Sequence, residues 1–236
     1  MVNIAGGHPE VNNFFYTDEI LDDLEVSLSR ERLGTYLDAT GGDREKAVRL
    51  HVWNTAVSAA FYEPLQTLEV TLRNAMNRRL GERYGDAWYD NDRAGLNTRA
   101  LERISHAKSG PGEGHGDEPH RVVAALSFGF WVSLLGRGGS GADYEMTLWR
   151  PALRRTFPYC DRLSRSNAQV PLNTLQKFRN RIAHHEPIFL RNLDEEHELI
   201  LKIAGWISPM TRTWIEHHSR VPAFFDTAGG SGEIRL

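Results

Sequence analysis

Pro64-Leu65-Gln66-Thr67-Leu68-Glu69-Val70-Thr71-Leu72-Arg73-Asn74 is the stretch that decides the fold. Carried on to Tyr84, its apolar residues fall at Leu65, Leu68, Leu72, Ala75 and Leu80. Those steps are close to one helical turn, so the residues line one side of a helix. A half-buried strand would alternate every second residue instead. The helical pattern extends back to Asp43 and forward to about Arg83. Pro64 lies inside it, lacks an N–H and crowds the preceding turn, so a break or kink is expected near Tyr62-Glu63. Glu69 and Arg73 stand four apart, which permits an ion pair along the helix or a polar contact inside a cleft.

The same reading works outward in both directions. Thr17 is placed to cap a short helix with Asp18 and Glu19 in its first turn and Ile20, Leu21, Leu24 and Leu28 on its apolar stripe. A second helix follows Ser29, carries Leu33, Tyr36 and Leu37, and stops at Gly41-Gly42. Asn97 to Lys108 reads as a helix, and the glycine-rich run from Ser109 to Asp117 as a mobile loop. Pro119 opens a helix whose core face holds Val122, Val123, Leu126, Phe130 and Leu134. A second glycine-rich loop spans Gly136 to Gly141, and an irregular part follows through Trp149, Leu153 and Phe157. Pro171 is expected to open a helix striped by Leu172, Leu175, Phe178 and Ile182, with Pro187 ending it just after Glu186. Asp194 caps a final long helix to about His217, with Leu199, Ile203, Trp206, Ile207, Met210 and Trp214 inward. No run of alternating strand residues interrupts this series. The fold class is all-α: a helical bundle with additional helices.

Composition bounds the function. The 236 residues are 40% hydrophobic and 25% charged, as in an ordinary globular protein. No run of ~18 apolar residues suggests a membrane span. The segment Met1 to Gly7 lacks the basic and apolar regions of a signal peptide, so a cytoplasmic location is expected. Cys160 is the single cysteine, which excludes an internal disulfide and a cysteine-rich zinc site. Net charge is −3, yet between Arg150 and Arg191 nine basic residues face only Asp161 and Glu186. A local basic patch of this kind can contact phosphates even when the whole chain is acidic. A solvated arginine-rich face is the plainer explanation of the same enrichment.

Chemistry concentrates in Phe178-Arg179-Asn180-Arg181-Ile182-Ala183-His184-His185-Glu186-Pro187. In a helix Asn180 and His184, four apart, share a face, and Arg181 and His185 share a neighbouring one. Arg179 and His184, five apart, diverge by about 140°, but the long arginine side chain can curl back. Such a site is sparse on one helix. Two copies meeting across a twofold axis bring two arginines and two histidines into one cleft, so a homodimer completes it. These residues suit RNA cleavage. The 2′-hydroxyl can attack the adjacent phosphorus once a base takes its proton, and histidine exchanges protons near neutrality. Arginine offers a planar fork and a permanent charge to the phosphate as negative charge builds. The nucleophile comes from the substrate, so no metal or cofactor is needed, and DNA, lacking the hydroxyl, is spared.

Arg179-Asn180-Arg181-Ile182-Ala183-His184 resembles the arginine–polar–three residues–histidine signature of the HEPN superfamily. Three further segments are similar to its Abi-like branch, associated with bacterial abortive infection: Phe61 to Asn74, Ser127-Phe128-Gly129-Phe130-Trp131, and His184 to Phe189. The resemblance implies a HEPN-like helical bundle that dimerises around a composite ribonuclease site. It implies metal-independent cutting that leaves a 2′,3′-cyclic phosphate. It also implies a role in phage defence or as a toxin, with an antitoxin or regulatory RNA as a partner. Arg179 and His184 are then the catalytic pair and Asn180 the polar residue that orients it. Glu69, Arg73, Asn74, Lys177, Arg181 and His185 bind RNA or support the site. The expected division is an N-terminal helical extension over residues 1–28, an Abi-like domain over 29–225, of which the resemblance covers about Ser29 to Trp214, and a flexible tail over 226–236.

Competing explanations attach to several of these residues. His184-His185 suggests a metal site, but adjacent helical residues diverge by ~100° and no His-Glu-x-x-His pattern exists. Arg73-Asn74 could simply tie the long helix to the motif helix. His217-His218 reads as an exposed helix end. Trp131, Trp149, Trp206 and Trp214 read as core residues, not base-stacking platforms. The glycine loops match neither a dinucleotide nor a Walker pattern. A non-catalytic RNA-binding or protein-interaction module is the alternative function, served equally by the basic segment.

Overall fold

A computed structural model describes residues 14–109, 118–139 and 141–225. The expected loop after Ser109 and the expected flexible tail lie almost wholly outside these residues. Among the described residues there are nine α-helices and no strand. They are α1 (Asp18–Leu28), α2 (Arg30–Ala39), α3 (Arg44–Tyr84), α4 (Thr98–Lys108), α5 (Pro119–Ala125), α6 (Phe128–Ser133), α7 (Arg165–Ala183), α8 (Leu193–Ile207) and α9 (Pro209–His218). Among the described residues no helix is long and apolar enough to cross a membrane. The chain divides into two compact units at Asn54–Thr55, within α3.

The first unit holds α1, α2 and the start of α3. Thr17 caps α1 as its sequence position implies, accepting a hydrogen bond from the Ile20 amide at 3.3 Å. Ser29 ends α1 at a φ of 69° and caps α2 through the Arg32 amide. Leu21, Leu33, Tyr36, Ala47, Val48 and Leu50 form its core. Arg44 reaches over it to Asp22 and Glu25. Asp43 caps α3 by accepting from the Lys46 amide at 3.0 Å, and that bond holds its carboxyl below the ordinary range.

In the second unit, the expected break at Tyr62-Glu63 does not occur: α3 is continuous through Pro64. An interior proline costs ~3 kcal/mol. Phe61, Leu65, Leu68, Leu72, Met76 and Leu80 are all buried on the same stripe. At about 1.5–3 kcal/mol per buried side chain, that stripe outweighs the proline.

The helix expected from Pro119 through Leu134 is instead two, α5 and α6. Ser127 interrupts it by capping α6, with its hydroxyl accepting from the Phe130 amide. The expected core face survives the break, since Val122, Val123, Leu126, Phe130 and Leu134 are all buried. α6 packs on α7 through a close approach at Gly129. A Cβ there would lie 2.6 Å from the Gln176 side-chain nitrogen, so a larger residue would make the end of that side chain move.

Between α6 and α7 the chain makes a π-helical turn at Glu145–Trp149 and a 3-10 turn at Leu153–Thr156. Trp149, Leu153 and Phe157 are buried there.

The final long helix is also two helices, and Asn192, not Asp194, caps the first by accepting from the Glu195 amide. Proline at 209 drives Ser208 into extended backbone, φ −158° and ψ 115°, and Ser208 caps α9 through the Thr211 amide. α9 packs against α8, with only Ile215 of its residues buried. Met210 and Trp214, expected inward, are 77% and 49% exposed. Ile203 and Ile207 are buried as expected, while Leu199 and Trp206 are half-buried.

Candidate functional site

The candidate site is the C-terminal end of α7. Pro171 does not open this helix. Ser164 does, by accepting from the Asn167 amide at 3.2 Å, and Pro171 is carried inside. Ala168, Leu172, Leu175 and Phe178 are buried and outweigh the proline as in α3, whereas Ile182 is only half-buried.

The helix also ends earlier than Pro187 suggests. Its last residue is Ala183, and His184 is the cap, with φ −94° and ψ 8°. His185 turns left-handed at φ 57°. The Glu186 amide donates to Arg181 carbonyl at 2.8 Å and the His185 amide to Ile182 carbonyl at 3.0 Å. These crossed bonds form a Schellman ending. Its cause lies two residues on: Glu186 precedes a proline and is disfavoured in helical backbone, so the chain must leave the helix before it.

This ending settles which candidates share a face. The His184 amide still donates to Asn180 carbonyl at 2.9 Å, so His184 stays above Asn180, and both are exposed. The expected pairing of Arg181 with His185 on one face fails, because the left-handed turn takes His185 off the helix. Arg181 instead straps the returning chain. Its guanidinium donates to Pro187 carbonyl at 2.9 Å and lies 3.4 Å from the Glu186 carboxylate.

Arg179 lies on α7 between buried Phe178 and exposed Asn180. Its Nε is 3.6 Å from Glu69 Oε2 on α3, with the two side chains 42% and 23% exposed. Two candidates separated by over a hundred residues of sequence are therefore in contact, and of the two possibilities that the spacing of Glu69 and Arg73 permits, Glu69 takes up a polar contact with another helix. Arg73 donates to its neighbour Asn74 at 3.3 Å. Among the described residues neither Arg73 nor Asn74 makes a hydrogen bond or ion pair to α7, whereas Glu69 makes an ion pair to it. Lys177 is exposed two turns before His184. Among the described residues the His184 imidazole makes no hydrogen bond, and no group of three His, Cys, Asp or Glu side chains gathers as a metal-binding set.

Behind this end of α7 lies a buried polar network that the motif does not contain. Phe178 packs edge-on against Phe61, 4.9 Å between centroids. The Arg191 guanidinium sits 5.7 Å from the Phe178 ring and donates to the buried Glu196 carboxylate. Beside it, His197 shares a 2.9 Å hydrogen bond with Ser219. Burial pushes the His197 imidazole below its ordinary value, against the pull of Glu198, Asp194 and Glu216. A signal for this network is present in the sequence: Glu196 falls on the stripe Leu193, Ile200, Ile203 and Ile207, where a carboxylate must find a partner.

Comparison with family models finds no match for this chain, and comparisons with curated proteins and with solved structures return none either.

Proposed function

We propose that this protein is a metal-independent endoribonuclease of the HEPN type, acting in the cytoplasm as a phage-defence or toxin effector. The observation that carries the reading is the end of α7. Arg179 is partly exposed and steadied by a carboxylate, and His184, the residue at the C-terminal cap of the same helix, carries an exposed imidazole. The ordered likeness of four sequence segments to the Abi-like branch supports it.

In this reading two copies associate through the α7 ends to form one composite cleft. One His184 imidazole takes the proton of the 2′-hydroxyl, whose oxygen bonds to phosphorus. The P–O5′ bond breaks, and the second imidazole returns a proton to the leaving 5′-oxygen. Arg179 neutralises charge on the phosphate oxygens, with Asn180 orienting the pair. The products are a 2′,3′-cyclic phosphate and a 5′-hydroxyl. Glu69 positions Arg179, Arg181 braces the turn that presents His184, and Lys177, Arg73, Asn74 and His185 serve the strand or the surrounding scaffold. An antitoxin or regulatory RNA holds the enzyme in check.

One observation favours the non-catalytic alternative, an RNA-binding or protein-interaction module. No described side chain fixes the tautomer of His184, as a general base usually requires. A gel assay of the purified chain with RNA separates the two. Cleavage lost in both Arg179→Ala and His184→Ala, with the helical circular-dichroism spectrum retained, supports the nuclease. RNA shifted but uncut across many substrates supports the module.

A further inference from the structure

We propose that an open cleft at the opposite end of α7 binds the phosphate backbone of a single-stranded nucleic acid, at a site separate from Arg179 and His184. The ligand class rests on the reading above that this chain acts on RNA. The cleft measures about 710 Å³ and lies against Leu163, just before the Ser164 cap. A 19-residue helix spans ~28 Å at 1.5 Å per residue, so the two sites are a helix length apart.

The observation behind it is how the structure sorts the basic segment. Arg179, Arg181 and Arg191 are committed to Glu69, Glu186 and Glu196. Arg150 and Arg165 share Glu145, each at 3.1 Å. Arg154 and Arg162 are different: both are exposed, both line the cleft, and among the described residues their side chains make no ion pair or hydrogen bond. The cleft lining also holds Asp161 and Glu145, the latter already paired with Arg150 and Arg165. The cleft lining therefore holds three guanidiniums and two carboxylates, one of which is also gripped by Arg165 of α7.

Local backbone supports the same assignment. The cleft wall is the π-helical turn, closed by the Arg150 amide donating to Glu145 carbonyl at 3.0 Å. Such turns cost hydrogen-bond geometry and recur at functional sites. Arg162 stands at φ 54°, a left-handed conformation unfavourable by about 1–2 kcal/mol for a residue with a Cβ. The amides that open α7 add the positive end of a long helix beside Leu163.

Two features select a strand's backbone over a mononucleotide or a base. Arginine forks match phosphate oxygens in an open groove, and among the described residues no glycine lines the site. Trp149 is buried, so its ring offers no stacking face to a base. Binding here is therefore indifferent to sequence.

The test uses the full chain and a fluorescently labelled 2′-O-methyl oligoribonucleotide, which has no free 2′-hydroxyl and cannot be cut by the proposed reaction. Affinity is measured by anisotropy between about 50 and 200 mM salt. Each phosphate contact on a single strand contributes a slope of about 0.7 in log K against log salt. Losing two contacts in Arg154→Gln/Arg162→Gln weakens binding and lowers the slope by about 1.4. Across that salt range the native protein then loses roughly 7-fold more affinity than the variant. Arg154→Lys/Arg162→Lys keeps the charge and the slope, and a matched melting temperature establishes that both variants are folded. Native affinity and slope in the glutamine variant overturn the proposal. So does a nucleoside triphosphate whose binding falls in that variant while oligonucleotide binding does not. A chain that binds this probe as expected but cuts no RNA would refute the nuclease and leave the cleft intact.

Discussion

The contact between Glu69 and Arg179 is the most informative place to perturb, because stability and activity are expected to respond very differently there. At 3.6 Å two unit charges attract by about 1.2 kcal/mol in water and about 4.6 kcal/mol at an effective dielectric of 20. Arg179 is 42% exposed and Glu69 23%, so solvent screening and side-chain entropy hold the net value to roughly 0.2–1 kcal/mol. A double-mutant cycle of Glu69→Gln, Arg179→Gln and the pair should return a coupling in that range. By melting temperature each single change costs at most about 2–4 °C in a chain of this size. Under the proposed function cutting should behave otherwise: Arg179→Gln should abolish cleavage by removing the charge assigned to the phosphate, whereas Glu69→Gln, which keeps Arg179 but frees it to wander, should lower cleavage only partly. The assay is urea or thermal unfolding beside RNA cleavage on the same four proteins. A coupling of about 3 kcal/mol or more would refute the screened-pair reasoning, since that magnitude belongs to a buried pair. Full cleavage by Arg179→Gln would refute the role given to the arginine.

Three further outcomes follow from the geometry. His185→Gly relieves a left-handed residue and should raise stability by about 0.5–1 kcal/mol; a loss of stability would mean that the imidazole's own contacts matter more than its backbone. Ser164→Ala removes the cap of α7 and should cost about 1 kcal/mol, read as a lower urea midpoint at constant m-value. His197 and His51 are both pushed down by burial, His51 also by Arg32. The unfolded chain therefore binds protons that the folded one does not. Stability should be complete above the unfolded value near 6.5 and fall as pH drops through it, with a weaker pH dependence in His197→Gln; identical pH profiles for the two proteins would contradict this.

Where the sequence was legible, one force dominated. The stripe Leu65, Leu68, Leu72, Ala75 and Leu80 is buried in full, because burial on one helical face is large and periodic. The cap at Thr17 was equally plain, since a short polar side chain before an acidic turn has few other uses. Prolines misled where two effects compete. Pro64 and Pro171 sit inside helices whose buried stripes outweigh them, while the serines at 127 and 208 end helices by offering the backbone a better partner. Ser208-Pro209 was readable as a cap followed by a first-turn proline. At the site, the likeness of Asn180 and His184 to helix neighbours was legible from spacing alone. The Glu69–Arg179 contact was not, because it joins residues distant in sequence through tertiary packing. His185 leaving the helix could have been read from Pro187, which constrains the residue before it.

The end-group of cleaved RNA tests the central claim most directly. Purified protein is incubated with RNA in EDTA, beside His184→Ala, and the new 3′ ends are analysed. The account predicts cleavage that persists in the chelator, ends in a 2′,3′-cyclic phosphate, and falls by roughly 10²–10⁴ in the variant. Free 3′-hydroxyl ends, or cleavage that His184→Ala retains in full, would contradict it.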